Sequence, residues 1–159
     1  MTKDAGDTLL RPYETKDCPS MIDLFRNTVY SVNAKDYTRD QLDVWTGGVN
    51  AADWNRSFLN RYSLVAVENG MIAGFGDIDL PTGYLDRLYV HKDFQSKGVA
   101  TALCDALESA VKGGVFVHSS ITAKPFFEKR GYKTVKKQSV ERKGLFLTNY
   151  VMEKNTGNV

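Results

Sequence analysis

The spacing of hydrophobic residues along the chain predicts five helices. After Asp17 they recur at steps of three and four, which predicts a helix with Asp17 as its N-cap. Two shorter helices are predicted over "DYTRDQLDVWTGG" and "NAADWNRSFLNR". A fourth, amphipathic helix is predicted over residues 98–112, and a fifth begins near Thr122, its expected N-cap.

Runs of alternating or continuously apolar residues predict seven strands around these helices. The strands are expected at residues 8–13, 63–68, 71–80, 83–90, 115–120, 133–141 and 145–153. An Asn-Gly pair separates the second and third strands, which is typical of a tight hairpin turn. The strand before the fourth helix and the strand after it should form a right-handed parallel crossover. This order predicts an α+β fold with a central mixed, mostly antiparallel sheet and helices on both faces.

Length and charge narrow the class of protein. A chain of 159 residues fits one domain over 1–159, with a core at about 8–153 and loose termini. The net charge of +2 is too small for a nucleic-acid-binding surface. The N-terminus has no signal-peptide pattern and no stretch approaches 18 apolar residues, so we expect a cytoplasmic protein with no membrane partner.

Cysteine and histidine do not form a metal-binding pattern. The two cysteines, Cys18 and Cys104, form no CxxC pair and no metal spacing with His91 and His118. We therefore expect no metal. Cys104 lies on the apolar side of the fourth helix and is expected to be a buried thiol.

The stretch "QSKGVA", residues 95–100, lies between a strand and the N-terminus of the fourth helix. A helix N-terminus offers free N–H groups and the positive end of a dipole, which together bind phosphate. Gly98 would let the backbone approach an anion closely, while Gln95 could donate a hydrogen bond and Lys97 would add charge. Neither the P-loop pattern nor GxGxxG is present, so the turn is predicted to bind pyrophosphate in another way.

The longer stretch "LYVHKDFQSKGVATAL" resembles the cofactor motif of the GNAT acetyltransferase superfamily through Val90, Gln95, Gly98 and Ala100. "ITAKPFFEKRGYKTV" resembles a second motif of that family, through Ala123, Phe127, Glu128, Lys129, Gly131 and Tyr132. "LLRPYETKDCPSMIDLF" resembles its first strand and helix, so the likeness extends over about residues 8–153.

The resemblance implies acetyl-CoA as co-substrate. The strand ending at Val90 would diverge from the strand at 115–120, and backbone groups of Leu88 and Val90 would pair with the pantetheine arm. Ser120 would bond that arm, and Phe127 would pack near the thioester. The full set expected to bind the coenzyme is Leu88, Tyr89, Val90, Gln95, Ser96, Lys97, Gly98, Val99, Ala100, Ser120 and Phe127.

The implied reaction is the attack of an amine on a thioester. A lysine-like amine has a pKa of about 10.4, so its deprotonation at pH 7 costs roughly 4–5 kcal/mol, and a base matters more than an acid. The chain departs from the family pattern in two places, because Phe127 replaces a common tyrosine and Tyr84 replaces a glutamate base of some members. Asp86 is therefore the candidate base or water-orienting group, and Tyr84 a candidate proton donor or relay. The alternative is that Asp86 only pairs with a nearby Arg or Lys.

The acceptor is less constrained by the sequence. Four aromatic residues lie in the first helices and the last hairpin: Tyr37, Trp45, Trp54 and Phe146. They would either form the wall of the acceptor pocket or belong to the hydrophobic core. Asp77 and Asp79 would either line that pocket or form a solvated face, and Tyr150 is a reserve acid. We expect acetylation of a small-molecule primary amine by a monomer or homodimer. The alternatives are a protein that binds CoA without turnover and an enzyme that acetylates a protein amine.

Overall fold

The computed structural model describes residues 8–159, so the expectation of a loose segment over residues 1–7 lies outside the described residues. The helices are α1 (Cys18–Ser31), α2 (Arg39–Thr46), α3 (Ala51–Leu59), α4 (Val99–Ser109) and α5 (Lys124–Lys129). The strands are β1 (Leu9–Pro12), β2 (Tyr62–Glu68), β3 (Met71–Asp79), β4 (Tyr84–Val90), β5 (Gly114–Ser120), β6 (Lys133–Arg142) and β7 (Leu145–Asn155). All twelve predicted elements are therefore found, with ends that differ by a few residues.

The seven strands form one sheet in the order β1-β2-β3-β4-β5-β7-β6. Neighbouring strands are antiparallel except β4 and β5, which are parallel and connected through α4. The predicted α+β class, the mixed sheet and the parallel crossover are confirmed.

Two hydrophobic cores lie on opposite faces of the sheet. On one face, α4 and α5 pack on the central strands through a cluster that includes Leu103, Leu107 and Phe127. On the other face, α1, α2 and α3 cover the sheet through a cluster that includes Phe25 and Phe58. The prediction of helices on both faces is therefore confirmed, and Cys104 is fully buried in the first core as expected.

Helix α4 approaches β3 very closely. A Cβ placed at Gly74 would lie 2.9 Å from a methyl carbon of Val99, and one at Gly76 would lie 3.0 Å from a methyl carbon of Leu107. Real Cβ atoms essentially never come nearer than 3.0 Å to another heavy atom, so glycine permits this approach. The first turn of α4 is thereby fixed against the middle of the sheet.

The two predicted N-caps make other contacts. Asp17 directly precedes α1, but its carboxylate accepts hydrogen bonds from Arg11 at 2.8 and 2.9 Å and makes no cap bond. Thr122 donates to Asp36 at 2.7 Å, and the N-cap position of α5 belongs to Ala123. The Asp17 carboxylate also accepts from the backbone N–H of Glu14 at 2.9 Å, so it closes the short turn before α1, whereas Thr122 joins two distant segments.

The C-terminal residues, which the sequence analysis expects to be loose, make several hydrogen bonds. Strand β7 continues to Asn155, and the backbone N–H of Thr156 donates to the carbonyl of Gly113 at 2.8 Å. The side-chain amide of Asn158 donates to the carbonyls of Val111 at 2.8 Å and Glu108 at 3.1 Å. The last residues therefore satisfy carbonyl groups at the end of α4, which a helix leaves without partners.

Candidate active site

Strands β4 and β5 separate after a short contact. They pair only at Tyr84 with Phe116 and at Leu85 with Val117. Beyond that point the β5-facing edge of β4 has no neighbouring strand among the described residues. A cavity of about 380 Å³ opens there, lined by both strands, the start of α4, and residues of α1, α2 and α5. The predicted divergence of these two strands is found.

A β-bulge bends β4 at the cavity. Asp77 of β3 lies opposite Arg87 and Ile78 opposite Leu85, so Asp86 is an extra residue in β4. A bulge of this kind removes a backbone group from the ladder and re-aims side chains. Here the backbone N–H of Arg87 donates to the Asp77 carboxylate at 3.1 Å, and Asp86 lies in the cavity wall.

The start of α4 has the geometry of an anion site. Gly98, the N-cap, has φ 83° and ψ 6°, a left-handed conformation that glycine adopts without strain. The first bond within the helix runs from the N–H of Ala102 to the carbonyl of Gly98 at 3.0 Å. The N–H groups of Val99, Ala100 and Thr101 therefore lack intrahelical acceptors, at the positive end of an eleven-residue helix. These N–H donors fit a pyrophosphate.

Other residues predicted in this turn have different roles. The amide nitrogen of Gln95 donates to the carbonyl of Val90 at 2.7 Å, and Thr28 donates to the same oxygen at 2.8 Å. Gln95 thus holds the end of β4, and it also lines the cavity, so its bond to phosphate stays a prediction. The Lys97 ammonium lies 5.5 Å from the centre of the Phe94 ring, and Lys97 does not line the cavity.

The remaining residues of the predicted coenzyme set lie around the cavity. Gly98, Ser96 and Ala100 line it, as do Leu88, Tyr89, Val90, Val99, Ser120 and Phe127. The side chain of Val99 is in the core, with 1% exposure, so only its backbone can contact a ligand.

Ser120 and Phe127 line the cavity and also make contacts within the protein, so their expected roles toward the coenzyme stay predictions. The Ser120 hydroxyl accepts a hydrogen bond from the N–H of Ala123 at 3.0 Å. Phe127 is 2% exposed, with its ring 5.0 Å from that of Tyr132. The adjacent Phe126 also lines the cavity and is less buried, so it offers the larger surface to a ligand.

The two candidate catalytic residues belong to a charged network. The Asp86 carboxylate contacts the Arg61 guanidinium and lies 3.6 Å from that of Arg87. This is the arginine pairing that the sequence left open as the alternative role of Asp86. Burial, followed by the nearby Asp86 carboxylate, raises the pKa of Tyr84 to about 12. Tyr84 therefore stays a protonated phenol near neutral pH.

Asp77 is the buried centre of this network. It is fully buried and accepts from the Arg87 side chain at 3.0 and 3.2 Å, so it neither lines the cavity nor belongs to a solvated face. Burial raises the pKa of Asp77 to about 6, against the lowering effect of Arg87. Both expectations for Asp77 are wrong, because alternation along β3 cannot reveal a charged partner on β4.

Of the four aromatic residues considered for the acceptor pocket, Trp45 lines the cavity. Trp54 packs against Phe58 in the core, and the Tyr37 hydroxyl donates to the carbonyl of Thr148 at 2.8 Å. Phe146 is exposed and lies outside the cavity lining.

Sequence reasoning missed His118, which lines the cavity with its ring 5.1 Å from that of Tyr84. The alternation of residues along β5 could have indicated this position. Val115 and Val117 are buried, so His118 must face the same side of the strand as Ser120.

Within residues 8–159, no group of three or more His, Cys, Asp or Glu side chains is placed to hold a metal ion. None of the helices in this part of the chain has the length and apolar character needed to cross a bilayer.

Comparisons with known proteins agree with the geometry. The acetyltransferase (GNAT) domain matches residues 33–154. The chain is 32% identical over 143 residues to the uncharacterized N-acetyltransferase YafP of Escherichia coli K12, which covers 90% of this chain and 93% of that protein. A GCN5-related N-acetyltransferase from Rhodopseudomonas palustris, described as a class-II aminotransferase, superposes with a TM-score of 0.84 at 30% identity, covering 98% of each chain.

A more distant structure shares the fold. PaiA N-acetyltransferase from Thermoplasma acidophilum, solved in complex with coenzyme A, superposes with a TM-score of 0.77 at 16% identity over 94% of this chain and 99% of that one. Together with the cavity between β4 and β5, the family match confirms the resemblance that the two motifs suggested. The chain belongs to the GNAT family and is an acyl-CoA-dependent acetyltransferase.

Proposed function

We propose that this protein transfers an acetyl group from acetyl-CoA to the primary amine of a small molecule. One observation carries the proposal: the free edge of β4 opens into a cavity that reaches the N–H groups at the start of α4. An edge strand can bind an extended chain, and a helix N-terminus can bind phosphate, so one continuous surface suits both parts of the coenzyme.

Each part of this surface has a distinct task. Acetyl-CoA, when bound, supplies the activated acetyl group. The β5-facing backbone of Leu88 and the N–H of Val90 would hold the pantetheine arm, because the Val90 carbonyl already accepts bonds from Thr28 and Gln95. The N–H groups of residues 98–101 would hold the pyrophosphate. Gly98 keeps the turn free of a side chain at that point.

The size and charge of the cavity favour a small acceptor. The cavity of about 380 Å³ would have to hold part of the coenzyme as well as the acceptor, and it is near the lower end of the range for small-ligand pockets, roughly 300–1,000 Å³, so the room left for the acceptor is small. Asp86 is the only carboxylate among the described lining residues, and it lies between two arginines. We therefore propose an acceptor with one amine in preference to a polycation, and in preference to a protein, which would need an extended groove.

Asp86 would orient the acceptor. Its carboxylate lies in the cavity wall and is held by Arg61 and Arg87, so it can accept a hydrogen bond from an ammonium group or a bound water. The Tyr84 phenol, with its raised pKa, supports Asp86 and is poorly matched to donate a proton to a thiolate. The cytoplasmic location and the monomeric or homodimeric state stay predictions.

The test combines binding and turnover. Calorimetric titration with acetyl-CoA comes first, followed by release of free thiol in the presence of a panel of small primary amines, each at saturating concentration. Binding together with amine-dependent thiol release is the expected result. If acetyl-CoA binds but neither the amines nor lysine-containing peptides cause thiol release, the result would favour the alternative of a protein that holds CoA without turnover. Faster acetylation of the peptides than of the amines would favour the protein-directed alternative.

A further inference from the structure

Three ionisable side chains line the cavity within residues 8–159: Asp86, Tyr89 and His118. A base for amine acetylation must lie in this wall, because the proton to be removed is on the attacking nitrogen. It must also have a lone pair available near neutral pH. These two requirements can be applied to each of the three in turn.

Asp86 and Tyr89 are less suited to receive the proton. The guanidinium groups of Arg61 and Arg87 both contact Oδ2 of Asp86, and these ion pairs suit the carboxylate to orienting an ammonium group. Burial raises the pKa of Tyr89 far above neutral, so its phenol keeps its proton. Its ring packs edge-on against Phe25 with the centroids 4.9 Å apart.

His118 meets both requirements. Neither ring nitrogen hydrogen-bonds to another residue within the described chain, and the side chain is exposed at the cavity mouth. Its ring is fixed in place by contacts with Tyr84 at 5.1 Å and Phe116 at 6.1 Å between centroids. Imidazole changes charge between about pH 5 and 8, so it can take a proton from an amine and release it to water.

We propose that His118 is the catalytic base that receives the proton of the acceptor amine. This inference rests on the proposed function. A ring nitrogen of His118 takes one proton from the ammonium group, and the freed nitrogen lone pair forms the bond to the acetyl carbon as the carbon–sulfur bond breaks. The departing thiolate keeps the electron pair of that bond. It takes up the second proton lost by the nitrogen, through solvent, and His118 passes the first to bulk water.

Several charged or titratable groups lie around His118. Their contributions to a pH profile must be distinguished from that of His118. Tyr84 and Asp86 lie beside it on β4, with Arg61 against them after α3. On the other side, Val151 of β7 is the direct neighbour, and Lys136 of β6 lies opposite Val151. Asp77 lies deeper, and its raised pKa of about 6 falls within the range where imidazole titrates.

The experiment compares His118→Gln with His91→Asn. The chain has two histidines, and His91 accepts a hydrogen bond from the N–H of Asp93 outside the cavity, a bond that Asn can replace. For each protein, kcat/KM for an active amine is measured from pH 5.5 to 9, with the acetyl-CoA affinity and the thermal midpoint as checks. We expect His118→Gln to lose about 10²-fold or more in kcat/KM at pH 7 while its coenzyme affinity is unchanged.

The shape of the profile gives the second readout. In the wild type, kcat/KM should rise with pH through a limb that belongs to the His118 imidazole. In His118→Gln that limb should vanish, leaving a rate that follows the deprotonation of the amine itself. A limb that persists in the variant would belong to Asp77 and would overturn the proposal. So would a His118→Gln rate within threefold of His91→Asn.

The role of His118 can still be tested if no amine is acetylated. In that case the proposed function fails, and the same two variants are compared for slow release of CoA thiol by water. A base at His118 would activate that water as well, so His118→Gln should be slower than His91→Asn. Equal rates would reject His118 as a base, independently of the acceptor.

Discussion

Placing a negative charge at Gly98 tests the anion site directly. In Gly98→Glu a carboxylate would lie at the start of α4, where we place the pyrophosphate. Two unit charges about 4 Å apart repel by about 4 kcal/mol at an effective dielectric constant of 20. Since 1.4 kcal/mol corresponds to a factor of ten, the Kd for acetyl-CoA should rise roughly 10³-fold.

Two matched variants separate this charge effect from backbone strain. Gly98→Gln has nearly the same size as Gly98→Glu and the same strain, which is about 1–2 kcal/mol for a side chain at a left-handed position. Gly144 in the β6–β7 turn also has φ 83°, and a Cβ there meets no atom within 4 Å. Gly144→Glu therefore carries the same charge and strain at a remote site, and should bind acetyl-CoA like the wild type.

Calorimetric titration with acetyl-CoA measures all three variants, with thermal unfolding to check that each one folds. The expected order of affinity is Gly144→Glu, then Gly98→Gln, then Gly98→Glu. If Gly98→Glu binds within threefold of Gly98→Gln, no phosphate lies near the first turn of α4 and the assignment of residues 95–100 is refuted.

Three further predictions concern stability. Glu108→Gln should lower the free energy of unfolding by roughly 3 kcal/mol in urea titrations at pH 7, because Arg130, Tyr132 and Lys154 all donate to this buried carboxylate. Burial alone would raise the pKa of Glu108, but these donors lower it on balance, so the wild type should lose its advantage over the variant as acid titrates the folded-state carboxyl. Gly83→Ala should lower the free energy of unfolding by well over 2 kcal/mol in the same titration, since its Cβ would lie 2.1 Å from a carbonyl oxygen. The control is Gly113→Ala, whose Cβ meets no atom within 4 Å and which should lower the free energy of unfolding by about 1–2 kcal/mol. Truncation after Asn155 should lower the unfolding free energy by roughly 2 kcal/mol, measured as a lower thermal midpoint; an unchanged midpoint would mean that the tail bonds contribute nothing.

The sequence predicted the elements well because most of them bury a periodic apolar face, although β6 at the edge of the sheet buries none. Residues such as Leu103 and Leu107 recur at helical spacing and pack on the sheet as expected. The sequence also indicated the importance of Gly98, although its left-handed conformation, which glycine adopts without strain, is known only from the structure. These features depend on a few neighbouring residues, which a single sequence contains.

The chemistry of the site depended on contacts between distant residues, and those were predicted poorly. The bulge at Asp86 is set by the register between β3 and β4. The alternation of residues within β4 alone predicts a regular strand, so it does not indicate the bulge. The arginine that holds Asp86 comes from the end of α3, 25 residues earlier. His118 was overlooked because an exposed histidine on a short apolar strand gives no motif.

The sheet also separates the turn that we expect to bind the coenzyme from some of the residues that would bind the acceptor. The first turn of α4 is packed against the glycines of β3 on one face, whereas Trp45 and the end of α1 reach the cavity from the other face. Distant substitutions with no shared neighbours usually have additive effects. Under the proposed function, substitutions in α2 should therefore change which amine is accepted with little effect on coenzyme affinity, whereas α1 also supports the coenzyme site through the bond from Thr28 to Val90. Acceptor specificity can then diverge, or be engineered, independently of the donor.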